Sequence, residues 1–167
     1  MKADLIRHVQ WRCCCPLLEF AFLASLTSQI SLPFAHGMSG ITVYHNPQCT
    51  KSRLSTTLLQ ENQEKCGYKL DVVLYKKTPP SVEDLEKLVD LLRANNQLPE
   101  ERPWDYLLRP EAQNKVGSFE EAFQVIQNDP AMLERPFVID WDRKIAVLGR
   151  PDISRVEKLV ADRRSSA

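Results

Sequence analysis

The chain has 167 residues, with 22 Lys and Arg against 22 Asp and Glu, so its net charge is zero. That length supports one compact domain with its own core, plus a tail. Neutrality argues against generic nucleic-acid binding, which needs a basic surplus, but a local cluster of arginines around a small anion fits within it. The five cysteines are Cys13, Cys14, Cys15, Cys49 and Cys66. Three are adjacent, which suits neither a disulfide framework nor spaced metal ligands, so free thiols in a reducing compartment are expected. His8, His36 and His45 lack ligand spacing, and no metal is expected. With only five glycines, no Gly-rich loop for an organic cofactor is evident.

In chain order, residues 1–37 stand apart. Lys2, Arg7 and Arg12 precede an apolar run over residues 13–26 that Pro16 and Glu19 interrupt. The pattern fits a signal peptide or mitochondrial presequence poorly, since Asp4 and Glu19 are wrong for a presequence. The run is also too short and too broken for a confident membrane span. A targeting segment, a secretory signal or anchor, a disordered tail, and an upstream extension with Met38 as the working start all stay open. The domain is therefore read over residues 38–167, with no membrane expected for it. A cytoplasmic location is expected, or a mitochondrial one if residues 1–37 are a presequence.

From Ile41 the pattern becomes regular. Residues 41–45 read as a strand that Asn46-Pro47 ends. A helix then starts at Thr50, with Leu54, Leu58 and Leu59 on one face and Gly67 as a stop. Residues 70–75 read as a second strand. Thr78-Pro79-Pro80-Ser81 leads into a capped helix with Glu83 and Asp84 in its first turn and a stripe of Leu85, Leu88, Val89, Leu91 and Leu92. The spacing predicts a helix over residues 104–115, broken near Pro110. Ser118, with Glu121 at capping-box spacing, opens another. Residues 136–140 and 144–148 are expected as strands around a turn at Asp142-Arg143, and residues 152–162 as a closing helix. Early strands alternating with helices should be parallel, and the late hairpin adds antiparallel pairing. This is the order of an α/β fold with a thioredoxin-like mixed sheet flanked by helices, carrying an inserted helical region, with the N-terminal extension outside it.

Within that layout Cys49 falls in the loop after the first strand, at the N-terminus of the first helix. Free N–H groups and about half a positive charge sit at such an end. Both favour a thiolate, the form that attacks, and Lys51 and Arg53 add cations nearby. The flanks Asn46, Gln48, Thr50 and Ser52 are polar, which speaks against a merely buried cysteine. Ser52 occupies the fourth position of what would otherwise be a Cys-x-x-Cys motif, so Cys49 has no adjacent partner for a disulfide. Cys66 lies roughly 25 Å away by helical rise and reads as structural. His45 either tunes the thiolate or ends the strand.

The segments "YHNPQCTKSR", "TPPSVEDLEKLV", "LLR", "ERPFVI" and "LGRP" carry a resemblance. In order and approximate spacing they resemble the glutaredoxin-coupled arsenate reductase family, over residues 41–163. The resemblance implies a thioredoxin-like fold, one catalytic cysteine at Cys49 and a histidine at His45. It implies three arginines that bind the oxyanion, Arg109, Arg135 and Arg150. It further implies a cis proline at Pro136 beside the cysteine. The substrate would be arsenate or a similar small oxyanion. Glutathione would be the co-substrate and glutaredoxin the partner, with no bound cofactor. Guanidinium forks suit the task, because they stay charged and bind tetrahedral oxyanions through paired N–H donors. Two rivals remain. One is a thioredoxin-like thiol redox protein, perhaps mitochondrial, that acts on a disulfide or another small molecule. The other is a non-catalytic binding module of the same fold.

Overall fold

The computed structural model describes residues 39–166, so the expectations for residues 1–37 lie outside the described residues. The elements run β1 (Ile41–Tyr44), α1 (Thr50–Asn62), β2 (Leu70–Val73), α2 (Val82–Ala94), α3 (Phe119–Asn128), β3 (Phe137–Asp140), β4 (Ile145–Leu148) and α4 (Ser154–Arg164). Two 3₁₀ turns, Pro103–Leu107 and Pro130–Met132, flank α3. The sheet order is β2-β1-β3-β4. β1 and β2 are parallel, while β3 pairs antiparallel with both β1 and β4. This is the expected thioredoxin-like arrangement, with the strands one or two residues shorter than their apolar runs.

The strands are apolar on both faces because helices cover both. Ile41, Val43, Val138 and Val147 point to one side and pack with Leu59 of α1 and Val156, Leu159 and Val160 of α4. Tyr44, Val73, Phe137, Ile139, Ala146 and Leu148 point to the other. There they meet Leu85, Leu88 and Leu92 of α2 and Ala122, Phe123 and Ile126 of α3. The period-2 alternation of a strand assigns each side chain to its layer. Cys66 packs partly buried against the first of these clusters.

Capping follows the local sequence. The Ser81 hydroxyl accepts from the Asp84 N–H at 3.1 Å, and the Asp84 carboxylate accepts from the Ser81 N–H at 3.0 Å. Such a reciprocal box contributes about 1 kcal/mol. At α3 the Ser118 hydroxyl accepts from Glu121 N–H at 3.2 Å, whereas the Glu121 carboxylate reaches one residue further back, to the Gly117 N–H at 2.7 Å.

One expected element is corrected. Residues 104–115 are not an α-helix: the 3₁₀ turn ends at Leu107, and Leu108 forms an antiparallel bridge with Leu133. Pro110 disfavours helical backbone at Arg109. The polar backbone is committed elsewhere as well. Arg109 N–H donates to Met132 O at 2.9 Å, and Glu134 N–H donates to Leu107 O at 2.8 Å. The correction matters for the site, because this bridge ties Arg109 to the segment that leads into Arg135.

Candidate active site

The sheet register determines which loops meet. Tyr44 pairs with Phe137, Phe137 with Leu148, and Tyr44 with Val73. The loop after β1, the entry to β3, the exit from β4 and the exit from β2 therefore gather at one end of the sheet. Cys49 comes from the first, Arg135 from the second, Arg150 from the third and Lys76 from the fourth.

Cys49 is the N-cap residue of α1, with extended backbone. Its N–H donates to Asn46 O at 3.0 Å, and its carbonyl accepts from the Arg53 N–H at 2.9 Å. The loop is held from beneath. Buried Asn46 accepts the Gln48 N–H on its side-chain oxygen at 3.0 Å. The Asn46 N–H donates to the fully buried Ser52 hydroxyl at 2.9 Å. Ser52 thus braces the loop from within α1. His45 Nδ1 lies 2.9 Å from the Ser52 hydroxyl and 3.0 Å from that of Thr56. Burial holds the His45 pKa below its ordinary value, opposed by a hydrogen bond with the Ser52 backbone and aided by Arg53. Two hydroxyls converging on Nδ1 fit a neutral imidazole with its proton on Nε2. His45 does not line the cleft around Cys49; its ring hydrogen-bonds to α1 and its N–H donates to Val73 O of β2 at 2.8 Å. Arg53 also turns away, donating to Pro47 O at 2.8 Å and to the Thr50 hydroxyl at 3.2 Å.

The cleft holds about 450 Å³ and is lined by Cys49 together with Arg109, Arg135 and Arg150, as well as Lys51 and Lys76. An Arg150 Nη2 lies 3.8 Å from the Cys49 Sγ. Its Nε is held on the other side by Arg135 O and Glu134 Oε1, each at 3.2 Å. Arg109 Nη2 pairs with the exposed Glu111 carboxylate at 2.6 Å. Arg135 is only 9% exposed, yet its Nε and Nη1 have no hydrogen-bond partner. A buried guanidinium left this way carries a penalty of several kcal/mol unless an anion meets it. Two of the three arginines thus bring a carboxylate with them, and among the described residues Arg135 brings none.

The Arg135–Pro136 bond is cis, as the resemblance implies, and so is Arg150–Pro151, which the sequence reading did not anticipate. Gly149 lies between them and donates to Pro136 O at 2.9 Å. A Cβ on Gly149 would sit 2.9 Å from Pro136 Cγ and 3.2 Å from the Ser55 hydroxyl, so only glycine lets the strand exit pass.

Sequence reasoning missed Lys76, Glu134 and Tyr75. Lys76 was legible in principle, since the C-terminal ends of adjacent parallel strands share one edge. Glu134 precedes Arg135 directly, but nothing in the sequence says which way it turns. Tyr75 is fully buried at the end of β2 with an unpartnered hydroxyl. Burial pushes its pKa up, against the pull of Arg135 and Asn46. Among the described residues no group of His, Cys, Asp and Glu could hold a metal ion, and no helix is long and apolar enough to cross a membrane.

The chain thus sets a thioredoxin-like sheet, Cys49 at the first helix N-terminus and three arginines around one cleft. The family model described as the ArsC family matches residues 44–155, and the chain belongs to that family. It is 32% identical over 115 residues to an arsenate reductase of Neisseria meningitidis serogroup A, covering 68% of this chain and 93% of that one. It is 34% identical over 112 residues to the uncharacterized protein YfgD of Escherichia coli K12, covering 66% and 89%. Among solved structures, an arsenate reductase from Vibrio cholerae superposes with a TM-score of 0.56 at 28% identity, covering 72% of this chain and 98% of that one.

Proposed function

We propose that the protein is an arsenate reductase in which Cys49 is the sole protein nucleophile and glutathione and glutaredoxin supply the electrons. The observation that carries this reading is the buried, unpartnered Arg135 guanidinium in the same cleft as the Cys49 sulfur. It is a binding site for an oxyanion beside a thiol. Arg109, Arg135 and Arg150 neutralise the incoming dianion, which would otherwise repel a thiolate. The Cys49 sulfur attacks arsenic and forms an S–As bond, and an arsenate oxygen leaves as water after protonation. Glutathione then brings the second thiol. Arsenic gains two electrons and departs as arsenite, while Cys49 and glutathione are joined as a mixed disulfide. A glutaredoxin thiolate attacks the glutathione sulfur of that disulfide, takes the glutathionyl group as its own mixed disulfide and releases Cys49 as the thiol. His45 and Ser52 support the nucleophile indirectly, by fixing the loop to α1. Pro136 follows Arg135 and packs against Gly149, the residue before Arg150.

With Cys49 as the sole protein thiol in the scheme, the mixed disulfide is obligatory. Intact-mass analysis after incubation with arsenate and glutathione tests this. Wild-type protein should acquire a single glutathione only when arsenate is present, and Cys49→Ser should acquire none. Glutathionylation that ignores arsenate, or that occurs on Cys66, would refute the scheme.

A further inference from the structure

Glu134 has no place in the scheme above, yet it is one of two buried carboxylates among the described residues, at 8% exposure. Its Oε1 accepts the N–H of Arg135 at 3.0 Å and pairs with Arg150 Nε at 3.2 Å. Arg135 O sits 3.2 Å from the same Nε. The inner edge of the Arg150 guanidinium is therefore occupied, and its outer end is turned to Cys49, with Nη2 at 3.8 Å from the sulfur. A guanidinium on a flexible stem has many rotamers, and a fixed acceptor at Nε removes most of that freedom.

We infer that Glu134 is a positioning residue that orients Arg150 toward the sulfur of Cys49, so that an anion approaching that sulfur meets the guanidinium end. The inference rests on the reading of Cys49 as nucleophile and the arginines as an anion clamp, but not on arsenate being the substrate. The opposing effect is electrostatic. A carboxylate beside the cleft also repels anions, and its removal alone would favour them. Positioning and repulsion thus predict changes of opposite sign.

Alkylation of Cys49 separates them without any arsenate chemistry. Iodoacetate and iodoacetamide both form an S–C bond and release iodide, but only iodoacetate is an anion. The ratio of their rates reports on the clamp, while a general change in sulfur reactivity cancels. Rates are read at Cys49 by peptide mass spectrometry. Glu134→Ala should lower the iodoacetate/iodoacetamide ratio roughly five- to tenfold, within the range of measured pair couplings. Glu134→Gln keeps an acceptor oxygen for the Arg135 N–H and should fall between Ala and wild type. In an Arg150→Ala background the Glu134 changes should no longer lower the ratio. A Glu134 effect that acts through the backbone N–H alone would persist there. A ratio that stays constant or rises in Glu134→Ala and Glu134→Gln, or a fall that survives undiminished without Arg150, would overturn the inference. Since the Gln variant preserves volume and hydrogen bonding, it covers the case in which the Ala variant fails to fold. Loss of arsenate turnover in wild type would sink the proposed substrate and leave this test standing.

Discussion

Arg150 and Cys49 are 101 residues apart in sequence, yet an Arg150 Nη2 lies 3.8 Å from the Cys49 sulfur. The strand pairings Tyr44–Phe137 and Phe137–Leu148 bring them together, since both residues leave the sheet at the same end. The cation is thus set by backbone register rather than by the local sequence around the cysteine. Of the two cations near Cys49 in sequence, Lys51 reaches the cleft and Arg53 folds back on the loop.

Arg135 carries the sharpest consequence. Replacing it by Ala should lower arsenate kcat/KM roughly 10- to 150-fold, the equivalent of losing one charge-assisted contact of about 1.5–3 kcal/mol. Stability should not fall, because the removed guanidinium has unpartnered nitrogens in the absence of ligand. Urea melts and steady-state kinetics on the same preparation check both. Arg135→Lys should recover activity only in part, since it lacks the planar fork.

How much of this was legible differs by element. The strands and the capped helices α2 and α3 were readable because alternation, apolar stripes and cap residues are local signals. The cysteine loop was readable because Cys49, Pro47 and the polar flanks are contiguous. The segment over residues 104–115 was misread as helix. Its apolar residues serve a bridge to Leu133, which no local period encodes. Arg109, Arg135 and Arg150 were nameable only through resemblance, as their meeting depends on register. Glu134 and Tyr75 stayed hidden because a side chain's direction at the end of a strand is decided by packing.

Tyr75→Phe should stabilise the protein by roughly 1 kcal/mol. Its buried hydroxyl makes no well-formed hydrogen bond, the Asn46 side chain lying near it in poor geometry, and an unsatisfied buried polar group costs about 1–3 kcal/mol. The ring keeps its core contacts in the variant. Chemical denaturation midpoints compare the two, and a loss of stability would mean the hydroxyl has a partner in solution.

Gly149→Ala should destabilise by about 1–3 kcal/mol, as overpacking does. The new methyl would press on Pro136 Cγ at 2.9 Å. Because Gly149 links Pro136 to Arg150, arsenate turnover should fall as well, even where the variant remains folded. Thermal melts paired with kinetics below the melting range test the two effects separately.

His45 gives a pH dependence. Its folded-state pKa is lowered by burial, so the unfolded chain binds a proton that the folded chain resists. The His45 contribution is intact above the unfolded value of about 6.5 and is lost as pH falls from there toward the lower folded value. Wild type should therefore lose more stability than His45→Gln between about pH 7 and pH 5.5. Parallel acid-side slopes in urea melts would show that His45 does not titrate differently on folding.

Arsenate-dependent oxidation of NADPH, coupled through glutathione reductase, glutathione and glutaredoxin, tests the central claim most directly. Wild-type protein should oxidise NADPH only when arsenate, glutathione and glutaredoxin are all present, and Cys49→Ser should show none of this turnover. A wild-type protein that reduces disulfides but gives no arsenate-dependent signal in the complete mixture would contradict the account.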